Sequence, residues 1–127
     1  MTEQQKKILI VEDDMHIVKI YEIIFAKEGY QTVFAVTGDE AIEKVVSEKP
    51  DIVILDLMLP GKDGFFFLEE IKKITSTIKI PVIVLSNLGQ KIDIDRAIRL
   101  GADEYMIKVN HSMKDVLGSV KNCLQAV

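Results

Sequence analysis

The residues best suited to chemistry in this sequence are acids that follow short aliphatic runs. Glu12 and Asp13 follow the first run, and Asp56 follows a later one. If the fold brings these carboxylates together, they repel one another, which raises their pKa values and costs stability unless a cation joins them. A hard divalent cation such as Mg²⁺ prefers carboxylate and water ligands. The pattern therefore predicts a divalent metal site that contains Glu12 or Asp13 together with Asp56.

Two further polar residues, Ser86 and Lys108, also follow apolar runs and could take part in the same chemistry. A carboxylate at the end of a buried strand can attack phosphorus and carry an acyl phosphate when a metal neutralises the transferring group. Lys108 could pair with Asp56 at rest and with a phosphoryl oxygen afterwards, and Ser86 could donate its hydroxyl. Taken singly, Lys108 would be a solvated lysine, and Ser86 and Asp14 would be helix caps. Because Asp56, Ser86 and Lys108 each come directly after apolar residues, the sequence favours a single phosphoryl-transfer site that contains all three.

An alternation of short aliphatic blocks and longer helical patterns must position these residues. Blocks at 8–11, 52–55 and 82–85 are continuously apolar, as expected of strands that are covered on both faces in a parallel sheet. Two weaker strands are predicted near 31–36 and 104–108.

Five helices are predicted between and after these strands, because apolar residues recur there at three- and four-residue steps. Gly29 and Gly101 follow the first and fourth patterns, where helices commonly stop. Ser112 and Asp115 are spaced as a capping box for the last helix. The apolar stripes are Ile17, Ile20, Tyr21 and Ile24; Ala41, Ile42, Val45 and Val46; Phe65, Leu68 and Ile71; Ile94, Ala97, Ile98 and Leu100; Val116, Val120 and Leu124.

Five βα units with right-handed crossovers predict an α/β fold, a three-layer (βα)5 doubly wound sandwich. The commonest solution of this size is a five-stranded parallel sheet of order 2-1-3-4-5, the flavodoxin-like topology. Ligands bind such sheets at the carboxyl ends of the strands, beside the switch point between strands 1 and 3. The predicted chemical residues all fall at those ends.

The length of 127 residues predicts one domain over residues 1–127. No output domain is expected, because the sequence ends one predicted helix after Lys108. The formal charge of −4 gives no reason to expect nucleic-acid or membrane binding. Cys123 is the single cysteine, so no internal disulfide can form, which suits a reducing compartment. It is interpreted as a buried filler, and His16 and His111 as surface residues. The sequence begins without a signal peptide and lacks the ~20 apolar residues that span a bilayer, so a cytoplasmic location is expected.

Over essentially its whole length the sequence resembles the receiver domain of two-component response regulators, the chemotaxis-regulator-like family. The segments that carry the resemblance are 8–13, 50–56, 59–64, 81–86 and 101–108. Any one of them is weak, but five in order at the family's spacing are specific.

The resemblance implies a role for each site residue. Asp56 is the phosphoacceptor, and Mg²⁺ (or Mn²⁺) is the cofactor. Tyr105 is the aromatic that turns inward when the switch hydroxyl moves towards the phosphate. The implied assignments are Glu12, Asp13, Asp56 and the Met58 backbone carbonyl for the metal, Ser86 and Lys108 for the phosphate, and Ser86 and Tyr105 for the switch.

The resemblance also implies partners and a mechanism. The phosphoryl donor would be a sensor histidine kinase or a histidine phosphotransfer protein. The switch would alter the face made by the fourth helix, fifth strand and fifth helix, where an unknown target protein binds. Beyond its own phosphorylation and autodephosphorylation, the domain is not expected to be an enzyme.

Several residues depart from the family pattern. Val109 stands where proline usually follows the lysine through a cis peptide, so a trans or strained bond is expected here. The segment from Val109 to the last helix is also one residue longer than is usual in the family. Asn87 replaces a small residue and could crowd the phosphate. Apolar Met58 and Leu88 occupy positions that commonly control attacking water, which predicts slow dephosphorylation.

The three consecutive residues Phe65, Phe66 and Phe67 cannot all face one core, because neighbours on a helix point about 100° apart. One ring, at Phe66, is therefore expected at the surface.

Three alternative functions stay open at this point. A receiver-like scaffold could keep the fold without using phosphorylation. An aspartate-nucleophile phosphatase would need a second acid two residues after Asp56, where this sequence has Met58. A flavin-binding domain would need a phosphate loop after the first strand, where Glu12, Asp13 and Asp14 would repel a phosphate.

Overall fold

A computed structural model describes residues 5–74 and 79–125. In this part of the chain, strands and helices alternate. The strands are β1 (Lys7–Val11), β2 (Gln31–Ala35), β3 (Ile52–Leu55), β4 (Val82–Ser86) and β5 (Glu104–Ile107). The helices are α1 (Met15–Lys27), α2 (Gly38–Glu48), α3 (Gly64–Ile74), α4 (Lys91–Arg99) and α5 (Met113–Gln125), and a short 3-10 turn covers Lys108–Asn110.

The five strands form one parallel sheet of order β2-β1-β3-β4-β5, which confirms the predicted doubly wound topology. The register aligns the carboxyl ends: Val11 of β1 is level with Leu55 of β3, and Ser86 of β4 with Ile107 of β5. The residue that follows each of these strands therefore emerges at the same edge of the sheet.

The core has two layers because successive strand residues point to opposite faces of the sheet. Ile8 and Ile10 pack into the layer beneath α1 and α5, whereas Leu9 and Val11 pack into the layer beneath α2, α3 and α4. All four are at most 1% exposed, as expected of a strand covered on both faces.

The buried faces of some helices differ from the predicted stripes. In α1 the buried residues are Val18, Tyr21 and Phe25, and Ile20 is 51% exposed, so its place in the predicted stripe was wrong. The same outcome holds for Val46 in α2 and Ile98 in α4, whose side chains are also exposed. Two apolar stripes that are offset by one residue both satisfy a helical period, and periodicity alone does not choose between them.

The helix ends use side-chain caps. Asp14 accepts a hydrogen bond from the His16 N–H at 3.0 Å, which confirms it as the cap of α1. Ser112 and Asp115 bond each other's backbone N–H groups at 3.3 and 3.1 Å, so the predicted capping box is confirmed. A further cap at Thr37 accepts from the Glu40 N–H at 3.1 Å.

Within the described residues, no helix is long and apolar enough to cross a membrane.

Candidate functional site

The site is built at the sheet edge where β1 and β3 end side by side. The Asp56 N–H donates to the Val11 carbonyl at 2.9 Å, and the Glu12 N–H donates to the Ala35 carbonyl at 3.0 Å. These backbone bonds continue the ladder one residue beyond the strands and hold both acids next to each other. From here α1 and α3 leave on opposite faces of the sheet, which opens the crevice expected at a topological switch point.

Glu12, Asp13 and Asp56 each place a carboxylate oxygen within 4.8 Å of the others. Glu12 is 3% exposed and Asp56 7% exposed, whereas Asp13 lies open to solvent. Two buried acids and one accessible acid form an all-oxygen donor set that fits a hard divalent cation, with room for water on the Asp13 side. The structure thus brings together the three side chains predicted as metal ligands. The Met58 carbonyl as a fourth ligand stays a prediction.

Lys108 lies between two of these acids. Its Nζ donates to Asp56 Oδ2 at 2.8 Å and also to Glu12 Oε1. Burial raises the pKa of Glu12 and is only partly opposed by the hydrogen bond and charge of Lys108. Burial also acts to lower the pKa of Lys108, but the hydrogen bonds and charges of Asp56 and Glu12 outweigh it and raise that pKa. The ammonium therefore stays charged and compensates the buried carboxylates.

The other oxygen of Asp56, Oδ1, accepts two hydrogen bonds. Ser86 Oγ donates at 2.9 Å, and the Met58 N–H donates at 3.0 Å. Ser86 is fully buried at the end of β4. The alternative reading of Ser86 as the cap of the next helix is wrong, because Gln90 holds that position. Both carboxylate oxygens of Asp56 are thus held by fixed donors, as a positioned nucleophile requires.

Tyr105 is half-buried on β5, beside the loop that joins β4 to α4. Its hydroxyl donates to the Leu88 carbonyl in that loop. Burial raises the pKa of the phenol, so the hydroxyl is a neutral donor at physiological pH. Tyr105 is thus tied to the segment that follows Ser86. Its role as a switch aromatic stays a prediction.

The turn after Lys108 contains a contact that the sequence did not reveal. Among the described residues no peptide is cis, so the Lys108–Val109 bond is trans. The Asn87 Oδ1 accepts a hydrogen bond from the Val109 N–H at 3.2 Å. The sequence shows Asn87 and Val109 as departures from the family pattern. Nothing in it indicates that the side chain of the first bonds the backbone N–H of the second.

The remaining candidates lie outside the site. His16 and His111 are exposed, as predicted. Cys123 is only half-buried against the α1–α5 layer, and burial raises its thiol pKa, which disfavours the reactive thiolate. Phe66 is half-buried, with Lys62 Nζ 5.2 Å from its ring centre, whereas Phe65 and Phe67 are buried.

Comparison with known proteins is consistent with this geometry. A family model described as "Response regulator receiver domain" matches residues 8–118. The structure is similar to a CheY-like response regulator receiver domain protein from Methanospirillum hungatei, at 28% identity and a TM-score of 0.88, over 95% of this chain and 94% of that one.

Two further structures are similar at the same level. One is the BeF3-activated receiver domain of Klebsiella pneumoniae RstA, with 29% identity, a TM-score of 0.86, and coverage of 95% of this chain and 100% of that one. The other is the signal receiver domain of a signal transduction histidine kinase from Syntrophus aciditrophicus, with 31% identity, a TM-score of 0.86, and coverage of 96% and 92%.

Proposed function

The chain belongs to the response regulator receiver domain family, and we propose that it is a signalling switch that accepts a phosphoryl group on Asp56. The observation that carries this proposal is the environment of the Asp56 carboxylate. Lys108 and Ser86 hold its two oxygens at 2.8 and 2.9 Å, and two more acids lie beside it.

The proposed reaction transfers a phosphoryl group from phosphohistidine on a sensor histidine kinase or a histidine phosphotransfer protein. The Asp56 carboxylate attacks phosphorus, a new O–P bond forms, the N–P bond breaks, and the imidazole leaves with the bonding electrons. Lys108 and Ser86 are close enough to move from the carboxylate oxygens to the oxygens of the transferred group. Their role is electrostatic stabilisation and positioning, which is most of what phosphoryl transfer asks of a protein.

Glu12, Asp13 and Asp56 would hold Mg²⁺ (or Mn²⁺), with the Met58 backbone carbonyl as a further ligand. Bound at these residues, the ion supplies positive charge against the transferred group. The fit rests on the three clustered carboxylates. Lys108 partly fulfils the same need, because its ammonium donates to two of them.

Autodephosphorylation returns the carboxylate, since water attacks phosphorus and the acyl O–P bond breaks. We propose that this step is slow. The Met58 side chain is 56% exposed at the mouth of the site and Leu88 is half-buried, and neither can orient water. A phosphorylated half-life of a few seconds would contradict this. Apart from its own phosphorylation and hydrolysis, the domain is not an enzyme in this proposal.

The output is a change at a partner-binding face. In the phosphorylated state Ser86 would follow the phosphoryl group, and Tyr105, tied to the Leu88 carbonyl, would move with the intervening loop. Phosphate contacts would bias two conformations that already exist. A downstream protein in the cytoplasm would bind the favoured one.

The test compares wild type with Asp56→Asn after treatment with acetyl phosphate and Mg²⁺, by intact mass. Wild type should gain one phosphoryl group, and Asp56→Asn should gain none. Asp14→Asn is the matched control, because Asp14 is an acid at the same edge that serves as a helix cap. If wild type gains no mass under these conditions, the phosphorylation-independent scaffold is the better description.

A further inference from the structure

Asn87 is an exposed residue that nonetheless makes a directed contact. Its Oδ1 accepts a hydrogen bond from the Val109 N–H at 3.2 Å, across a sequence separation of 22 residues. Asn87 directly follows Ser86 at the end of β4, and Val109 directly follows Lys108. The contact therefore joins the two segments that supply the side-chain donors to Asp56.

Among the described residues, few backbone hydrogen bonds hold the turn that contains Lys108. The last pair in the β4–β5 ladder is Ser86 with Ile107, so the 3-10 turn Lys108–Asn110 begins where the sheet ends. Its own closing bond, from the His111 N–H to the Lys108 carbonyl, is long at 3.4 Å. The first N–H groups of a helical turn have no partner within that turn. Asn87 supplies the acceptor that the Val109 N–H lacks.

These contacts close a ring through the site. Asp56 Oδ1 accepts from Ser86 Oγ at 2.9 Å, and Asp56 Oδ2 accepts from Lys108 Nζ at 2.8 Å. Peptide bonds join Ser86 to Asn87 and Lys108 to Val109, and the Asn87–Val109 hydrogen bond closes the ring. A lysine stem is flexible, so a fixed backbone at its base narrows the set of positions that its ammonium can reach.

We propose that Asn87 is a positioning residue. By accepting a hydrogen bond from the Val109 N–H, it holds the turn that starts at Lys108. The Lys108 ammonium and the Ser86 hydroxyl then keep a fixed distance from each other on the two oxygens of Asp56. The functional consequence rests on the proposed function: Ser86 and Lys108 would together donate hydrogen bonds to the oxygens of a phosphoryl group on Asp56. The contact itself does not depend on phosphorylation.

The geometry supplies its own controls. The Val109 side chain is 79% exposed, so only its backbone serves the contact and Val109→Ala keeps the donor. Thr37→Ala removes a comparable bond, from the Glu40 N–H to Thr37 Oγ1 at 3.1 Å, at the start of α2. It therefore reports what a general loss of stability would do.

The experiment measures proton exchange of the Lys108 ammonium by NMR in the metal-free protein, together with the affinities for Mg²⁺ and for beryllofluoride with Mg²⁺. Asn87→Ala should speed ammonium exchange by about 3- to 10-fold, the worth of one neutral hydrogen bond. It should weaken beryllofluoride binding by a similar factor and change Mg²⁺ affinity by less, because the ammonium would contact the bound beryllofluoride but is not a metal ligand. Val109→Ala and Thr37→Ala should match wild type in all three measurements.

Unchanged ammonium exchange in Asn87→Ala would overturn the positioning role, whatever beryllofluoride does. An equal effect of Thr37→Ala would also overturn it, since loss of stability would then explain the result. Failure of wild type to bind beryllofluoride with Mg²⁺ would instead refute the proposed function, and the ammonium measurement would still decide the role of Asn87.

Discussion

Lys108 and Asp56, which are 52 residues apart in the chain, meet through a 2.8 Å bond between Nζ and Oδ2, and the same ammonium donates to Glu12. Both carboxylates are almost fully buried. The ammonium of Lys108 thus compensates two acids. Opposite charges on Lys108 and the two acids therefore help to hold the site together.

Lys108→Met should destabilise the metal-free protein by about 3 kcal/mol, because it leaves buried carboxylates without a counter-charge. Added Mg²⁺ should recover part of the loss, so it should raise the unfolding midpoint more in the variant than in wild type. Urea unfolding with EDTA and with Mg²⁺ measures both effects. Lys91→Met is the control: its pair with Asp95 is exposed and is worth less than about 1 kcal/mol. Equal losses in the two variants would contradict the prediction.

Asp13→Asn should weaken Mg²⁺ binding by roughly tenfold, or about 1.4 kcal/mol. Asp13 is the accessible member of the acidic cluster, and its charge is removed without disturbing a buried contact. Titration calorimetry measures the affinity. Asp14→Asn, one residue further along, should bind Mg²⁺ as wild type does. Wild-type affinity in Asp13→Asn would exclude Asp13 as a ligand.

Ser86→Ala should cost about 1 kcal/mol of stability, since Asp56 Oδ1 keeps its bond from the Met58 N–H. Phosphorylation by acetyl phosphate should slow by roughly tenfold, the worth of one hydrogen bond to a charged group. Ser86→Thr retains the hydroxyl and should recover most of the rate. If the threonine variant is folded and as slow as the alanine variant, the hydroxyl has no role in transfer.

Gly64→Ala should destabilise the protein by about 2 kcal/mol, the range typical of overpacking. An added Cβ would lie 2.7 Å from the Leu57 Cα and 2.8 Å from the Asp56 carbonyl oxygen, so the backbone of the phosphoacceptor must shift. Phosphorylation should slow as well. Gly118→Ala in α5 meets nothing within 4 Å and should stabilise the helix by about 0.5–1 kcal/mol. Thermal unfolding should show a lower midpoint for Gly64→Ala and a higher midpoint for Gly118→Ala than for wild type. A midpoint for Gly64→Ala at or above that of wild type would contradict the close approach.

The buried face of α1 predicts a contrast between two residues that lie two positions apart. Val18→Ala should cost about 2 kcal/mol, because Val18 is fully buried, whereas Ile20→Ala should cost less than about 0.5 kcal/mol. Denaturant unfolding of both variants measures this. A larger loss of stability in Ile20→Ala than in Val18→Ala would instead support the buried face predicted from periodicity.

The fold and the membership of the site were readable in the residues because both depend on order along the chain. Continuous aliphatic blocks such as 52–55 indicate strands covered on both faces, and parallel strands bring their carboxyl ends to one edge. Glu12, Asp56 and Ser86 each follow such a block, and Lys108 lies at the end of the weaker fifth strand, so their meeting at that edge was predictable before any coordinates.

Other features depended on how separate elements pack. Periodicity reports the spacing of apolar residues but not which of two offset stripes is buried, and Ile20 therefore fell on the wrong face. The bond between Asn87 and Val109 joins two loops whose approach follows from the sheet, and the pairing of Lys108 with Glu12 as well as Asp56 depends on side-chain torsions. Spacing in a sequence carries neither distances between loops nor torsions, so these contacts had to come from the packed chain.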